Sequence, residues 1–317
     1  MLSTDTSISR FAEETAQAGL VVCDQARTAS LLDFRNLIDE IALAAADYEA
    51  SRITSPERMV VPLGEGGVLL SMPATAKDIG IHKLVNVQPA NTKRHLPTIH
   101  GAVTVCDAVT GRLLCLLDGP EVTGRRTAAV SLLGIRALFG RDPKEVMLIG
   151  TGAQTRYHVQ ALRSVYPESR LWIRGRTAAS SQAFCDAAGS AHVLPCAGET
   201  PAGVDVVITL TTSTAPVYDE PGRPQRLVIG VGAFKPEMAE LGKTTLDTSD
   251  VYTDDPAGAR HEAGDLLRAG IDWHRVTSLA TALRQPRDRT RPAVFKSVGT
   301  AAWDLAAARV ALRALAA

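Results

Sequence analysis

The sequence predicts an α/β protein of two domains, on three observations. Val146 to Ile149 is a short apolar run of strand type that passes through Gly150-Thr-Gly152 straight into a helical stretch, Gln154 to Val165. A second apolar strand, Leu171 to Arg174, begins about 20 residues after that turn. Residues 58 to 118 read instead as short strands separated by turns. Strand, glycine turn and helix in that order are what a dinucleotide-binding Rossmann domain needs. Gly150 lets the chain leave the strand, and Gly152 has no side chain to hold a pyrophosphate away from the amides at the positive end of the helix. Thr155 stands where the third glycine of GxGxxG would be, so the turn alone is equally consistent with an ordinary strand-turn-helix.

The second strand points to the cofactor. A domain selecting NAD presents Asp or Glu at its end to accept from the adenosine ribose 2′-hydroxyl, whereas this chain offers Arg174, Gly175, Arg176 and Thr177. Two guanidiniums and a hydroxyl suit a 2′-phosphate through forked, charge-assisted hydrogen bonds, so NADPH is expected in preference to NADH. The competing account is that one arginine merely closes a strand end.

Composition narrows the partners. Lys plus Arg number 34 and Asp plus Glu 34, a balance that gives no support to a nucleic-acid or membrane partner, and a small substrate is expected. The five cysteines, Cys23, Cys106, Cys115, Cys185 and Cys196, lack CxxC spacing and metal-like histidine partners. Neither a disulfide framework nor a metal site is expected. Asp5, Glu13 and Glu14 interrupt the N-terminal stretch, and no run approaches a membrane span, so a cytoplasmic location is expected.

Taken in order, residues 1 to 18 are polar and expected to be loosely held. Ala26 to Tyr48 reads as one helix, with Leu31, Phe34, Leu37, Ile38 and Ile41 at helical spacing and Asp24 as a cap. Strands follow at Arg58 to Val61, Gly67 to Met72, Ile79 to Val87 and Ala102 to Cys106, and a hairpin turn, Asp107 to Gly111, leads into Leu113 to Asp118. Thr127 to Phe139 reads as a helix. Beyond the glycine turn, Val204 to Leu210 and Arg226 to Gly230 are continuous apolar strands of buried parallel type, and Gly230 and Gly232 allow close backbone approach to a ligand. Asp254 to Leu267, with His261, Glu262 and Asp265, reads as a polar, solvated helix rather than a metal site. The final helix, Ala301 to Ala316, is a packing helix.

Three cations in the strand-rich segment call for a partner. Lys83 lies inside an apolar strand, where burial is costly unless an anion meets it. It is therefore either on an exposed face or a ligand for a carboxylate. Arg126 stands at the start of the expected helix, at its positive end, where a cation is poorly placed unless it serves something else. Arg58 opens a strand.

Several segments in a fixed order resemble the ornithine cyclodeaminase and mu-crystallin family. They are Ile81-His-Lys83-Leu-Val-Asn, Leu96-Pro-Thr98-Ile-His-Gly, Leu117-Asp-Gly119 with Val122-Thr-Gly-Arg-Arg126-Thr127-Ala-Ala129, and Gly150-Thr-Gly152-Ala153-Gln154. Trp172 to Thr177, Ile208 to Pro216, and Phe295-Lys-Ser297-Val-Gly299 through Asp304 continue the resemblance, which covers almost the whole chain beyond about residue 20. It implies a substrate-binding and dimerisation domain built from both chain ends, residues 1–126 and 296–317, around an NAD(P)-binding Rossmann domain, residues 127–295, and a homodimer. It further implies that Arg58, Lys83 and Arg126 hold the substrate carboxylate, with Lys83 close to the reacting carbon. Thr98, Thr127, Thr209, Thr211, Ser297 and Gly299 are implied on the cofactor side, beside Gly150, Gly152, Ala153, Gln154, Arg174, Arg176, Thr177 and Gly232.

One departure bears on activity. Cyclodeaminases of this family carry an aspartate in a G-A-D-x-P-G type motif, and Phe234 of Gly232-Ala-Phe234-Lys-Pro236-Glu-Met-Ala-Glu-Leu241 occupies its place. A phenyl ring neither takes nor gives a proton. The pattern resembles instead the branch that reduces the cyclic ketimines Δ1-pyrroline-2-carboxylate and Δ1-piperideine-2-carboxylate to proline and pipecolate, with Phe234 as an apolar wall for the ring. Two other readings stay open: an enzyme of the same family acting on open-chain substrates or cyclising ornithine, and a binding protein that keeps the dinucleotide fold without catalysis.

Overall fold

The computed structural model describes residues 19–317; the polar stretch 1–18 lies outside the described residues. The chain divides into two compact units, the described residues up to Thr127 with Thr300–Ala317, and Ala128–Gly299.

The first unit contains β1 (Val21–Val22), α1 (Gln25–Leu31), α2 (Phe34–Glu49), β2 (Met59–Pro62), β3 (Val68–Thr75), β4 (Ile79–Val87), β5 (Ile99–Asp107), β6 (Leu113–Asp118) and the beginning of α3 (Gly119–Gly134). Its sheet runs β1-β6-β5-β4-β3-β2, antiparallel except where β1 joins β6 in parallel. Register sets one row of neighbours across four strands, Met72, Lys83, Val103 and Leu117, and all four are buried. The C-terminal helix, Ala301–Leu315, packs on α2, β3 and β4, and its residues Ala301 to Leu312 are all buried.

Two expected helices differ in ways that matter. The one expected over 26–48 is broken between α1 and α2, because the Asp33 carboxylate accepts from the amides of Arg35 and Asn36 and starts a second helix, while Leu32 turns wholly inward. The one expected from Thr127 begins eight residues earlier at Gly119, where Asp118 accepts from the Glu121 amide at 2.7 Å. Arg126 therefore lies inside a helix, not at its positive end, and that part of the argument for it fails. It sits in the third turn, where the helix amides are already bonded.

The second unit holds β7 (Glu145–Ile149), α4 (Ala153–Val165), β8 (Arg170–Arg174), α5 (Ala178–Ala188), β9 (Val193–Pro195), β10 (Val206–Thr209), β11 (Leu227–Gly230), β12 (Asp250–Thr253), β13 (Val276–Ser278) and β14 (Ala293–Lys296). The order is β13-β12-β14-β11-β10-β7-β8-β9 with every pairing parallel, the arrangement expected for a Rossmann domain. All residues of β10, β11 and β14 are buried, which accounts for the apolar runs Val206–Ile208, Leu227–Gly230 and Ala293–Phe295. The polar helix expected over 254–267 is two short helices, Pro256–Glu262 and Gly264–Ala269, and it is not solvated throughout: Asp254, Asp255 and Asp265 are buried. Gly264 is required at the join, since a Cβ there would stand 2.1 Å from the Met238 carbonyl oxygen. Among the described residues no helix is long and apolar enough to cross a membrane.

Candidate active site

In the first unit the inward row of the sheet supplies the cations. Lys83 is 2% exposed, which excludes the open-face alternative. Its Nζ lies 2.5 Å from Asp304 Oδ2, in the first turn of the C-terminal helix, and Arg126 Nε donates to Asp304 Oδ1 at 3.1 Å. One fully buried carboxylate thus holds two cations from β4 and α3, with the positive end of its own helix adding to its stabilisation. Among the described residues the terminal nitrogens of Arg126 have no protein partner, so the fork that suits a carboxylate is left to a ligand. Burial, Arg126 and Arg58 lower the Lys83 pKa and Asp304 raises it; the net is a fall from 10.5 to about 8, with burial the largest cause. Arg58, half-buried immediately before β2, is near enough to be felt by Lys83. Sequence reasoning placed the cations but missed Asp304, whose signal was a lone acidic residue in an alanine-rich helix. Thr127 is buried beside Arg126, and Thr98, half-exposed before β5, accepts through its carbonyl from the Gln88 amide at 2.7 Å.

In the second unit the β7–α4 turn has the form a dinucleotide needs. Gly150 has φ +129°, and a Cβ there would stand 2.6 Å from the Leu210 carbonyl oxygen, so only glycine fits. Gly152 caps α4 without any side-chain bond, leaving the first amides of Ala153, Gln154 and Thr155 open. Gln154 Oε1 and Thr155 Oγ1 are buried with no hydrogen-bond partner. Bare amides at the end of β7 fit the pyrophosphate of a dinucleotide. At the end of β8, Arg174 donates to the carbonyls of Val217 at 2.9 Å and Gly198 at 3.4 Å, whereas Arg176 is exposed and partnerless among the described residues. Thr177 caps α5, its hydroxyl oxygen accepting from the Ser180 amide at 3.1 Å. That capping box is a second reason for Thr177 which the sequence reading did not include.

The loops after β10, β11 and β14 are tied by carboxylates that sequence reasoning also missed. Glu240 accepts from Thr209 Oγ1, Thr211 N, Thr211 Oγ1, Gly232 N and Ala233 N, at 2.9, 2.5, 2.9, 2.6 and 3.1 Å. Thr209 is wholly buried with its hydroxyl turned to Glu240, so it acts on a cofactor only through the loop it anchors. Gly232 lies so close to the β10 loop that a Cβ would stand 1.9 Å from the Thr211 carbonyl oxygen. Asp265 accepts from the amides of Glu240 and Leu241, and Lys296 Nζ lies 2.8 Å from its other oxygen. Asp254 accepts from Ser297 Oγ at 2.8 Å, Val298 N at 2.9 Å and Gly299 N at 3.0 Å, fixing the segment after β14, where Gly299 has φ +78°. Phe234 is half-buried, with Lys235 Nζ 6.0 Å from its ring centroid. Among the described residues no group of acidic, histidine and cysteine side chains is arranged to hold a metal.

The profile of the ornithine cyclodeaminase/mu-crystallin family matches residues 20–315. The chain belongs to this family. Within it, the Δ1-pyrroline-2-carboxylate/Δ1-piperideine-2-carboxylate reductase of Azospirillum brasilense is 54% identical over 306 residues, 96% of this chain and 98% of that protein. Δ1-Pyrroline-2-carboxylate reductase 2 of Burkholderia ambifaria is 52% identical over 304 residues, 95% of this chain and 98% of its own. The structure of the Thermococcus litoralis Δ1-pyrroline-2-carboxylate reductase, in complex with NADH and L-proline, matches with a TM-score of 0.83 at 23% identity, covering 93% of this chain and 98% of its own. That likeness establishes a shared family fold and bears out the α/β, Rossmann-containing architecture expected from the sequence.

Proposed function

We propose that this chain reduces cyclic ketimines bearing a carboxylate on the imine carbon, Δ1-pyrroline-2-carboxylate and Δ1-piperideine-2-carboxylate, to proline and pipecolate, with NADPH preferred over NADH. The chain is an oxidoreductase acting on C=N bonds with a nicotinamide cofactor, as the reductases with which it shares more than half its residues are named. The observation that carries the substrate class is the buried Lys83–Asp304–Arg126 cluster with its open guanidinium fork. Lys83, Arg126 and Asp304 sum to one positive charge in a nearly dry setting, which favours a single small carboxylate.

The nicotinamide, when bound, supplies a hydride to C2 of the ring. The chain's own residues do the rest. Arg126 and Arg58 hold the carboxylate and so fix C2. Lys83 adds charge beside the reacting carbon, and Asp304 against it limits repulsion of a protonated ring nitrogen, the better electrophile. Phe234 offers an apolar wall to the ring methylenes and has no group to activate an amine or water, which disfavours the cyclodeaminase reading. Gly150, Gly152, Ala153 and Gln154 cradle the pyrophosphate. Arg176, with Arg174 behind it, meets the 2′-phosphate, and an acidic side chain that would select NAD is missing from Arg174 to Thr177. Thr98, Thr127, Thr209, Thr211, Gly232, Ser297 and Gly299 complete the cofactor side, in a homodimer.

The test is loss of NADPH absorbance, with NADH in parallel, on adding either ring to purified protein, followed by identification of the product. Oxidation that yields proline or pipecolate and runs faster with NADPH is expected. No oxidation with either cofactor and either ring, in folded protein that binds NADPH, sinks the reductase reading. Equal rates with NADH remove Arg174 and Arg176 from cofactor choice.

A further inference from the structure

The loops after β10 and β11 are joined by one carboxylate, that of Glu240. Both oxygens of Glu240 are met by backbone amides: Thr211 on one, Gly232 and Ala233 on the other. Three backbone amides aimed at its two oxygens favour the Glu240 anion, against burial, which raises its pKa. The charged groups acting on it are Lys296 and Asp265, both wholly buried. Two carboxylates against one ammonium leave one negative charge in excess. Lys296 Nζ lies 2.8 Å from Asp265 Oδ2, and neither atom makes a hydrogen bond with any other group among the described residues. It lies at the C-terminal edge of β10, β11 and β14, the edge at which a parallel dinucleotide fold receives its ligand.

Resting on the nicotinamide-dependent reading above, we propose that Glu240 is a positioning residue that also sets the charge of the nicotinamide end. It clamps the two loops together, and the excess negative charge of the Glu240–Asp265–Lys296 cluster favours the oxidised, positively charged ring over the reduced, neutral one. The consequence is electrostatic help for hydride donation, because the positive charge that develops on the ring as the hydride leaves is met by a fixed negative charge that needs no rearrangement. Coulomb's law with an effective dielectric of about 20 makes one unit charge worth on the order of tenfold across a separation of about 10 Å.

The experiment is a pair of dissociation constants, for NADP+ and NADPH, on the full chain, with NAD+ and NADH as a second pair. In Glu240→Gln the ratio of the oxidised to the reduced constant should rise on the order of tenfold, and in Glu240→Asp, which keeps the charge, it should stay near that of the wild type. Lys296→Met removes the opposing charge and should move the ratio the other way. If Glu240→Gln does not fold, Asp265→Asn tests the same sign. Equal weakening of both forms in every variant, or a shift of the same sign in Lys296→Met and Glu240→Gln, overturns the charge-setting role while leaving the dinucleotide reading intact. Wild-type protein that binds neither form overturns the dinucleotide reading, and this proposal with it.

Discussion

At the scale of single residues, the chemistry turns on Lys83 and the carboxylate that faces it. With a pKa of about 8, Lys83 loses its proton just above neutrality, and its hold on an anionic substrate goes with it. kcat/KM for either ring should therefore fall as pH rises through about 8. Asp304 is the main influence raising that pKa, so Asp304→Asn should move the falling limb to lower pH as well as raise KM, and a pH profile measures both. A limb that stays in place would mean that Lys83 does not report there. Stability carries the opposite sign. Between about 8 and the ordinary 10.5 the unfolded chain holds the proton and the folded chain does not, so the contribution of this lysine to stability rises with pH across that window. Lys83→Met should cut turnover far more than NADPH binding, and unchanged turnover would remove Lys83 from the reaction.

At the scale of elements, α4 is held by a histidine that cannot charge cheaply. His158 is wholly buried, with Nε2 2.9 Å from Ser131 Oγ in α3 and Nδ1 2.8 Å from the Gln154 carbonyl, and burial lowers its pKa from 6.5 to about 4. Stability from the neutral ring is complete above 6.5 and is lost as pH falls toward 4, by about 3 kcal/mol in all. Urea unfolding at pH 7 and pH 4.5 should record that loss, and His158→Gln should flatten it; an equal slope in the variant would assign the acid sensitivity elsewhere. This histidine also marks how far elements were legible in sequence. The strands β4, β6, β7 and β8 and the glycine turn were readable because apolar runs and turn residues are local signals. Strands β12 to β14 were not read, being short and set among polar neighbours. The breaks at Asp33 and Gly119 were obscured because helical spacing continues through a cap. Of the candidate site, the cations and glycines were visible as types out of place, whereas Glu240, Asp254, Asp265, Lys296 and Asp304 gain their meaning from partners between seven and 221 residues away.

At the scale of the whole molecule, the first unit leaves part of its sheet uncovered. Register puts Met59, Ser71 and Leu84 in one outward row and Val61 with Leu69 in the next, with Met59 63%, Val61 42% and Leu84 40% exposed. Apolar side chains gathered on one face suit a two-fold contact with a second copy, in keeping with the proposed homodimer. Met59→Glu with Leu84→Glu should convert a dimer to a monomer in light scattering, and a dimer unchanged by both charges would place the contact on another face. The C-terminal helix has a separate consequence, in the order of synthesis. Asp304 rides on a segment that leaves the ribosome after all of Ala128–Gly299 has been made. Until it arrives, Lys83 and Arg126 have no counter-charge and the inner side of the sheet lacks its covering. A nascent chain can therefore gather its central unit during translation, but the carboxylate clamp exists only once the segment carrying Asp304 has followed that unit.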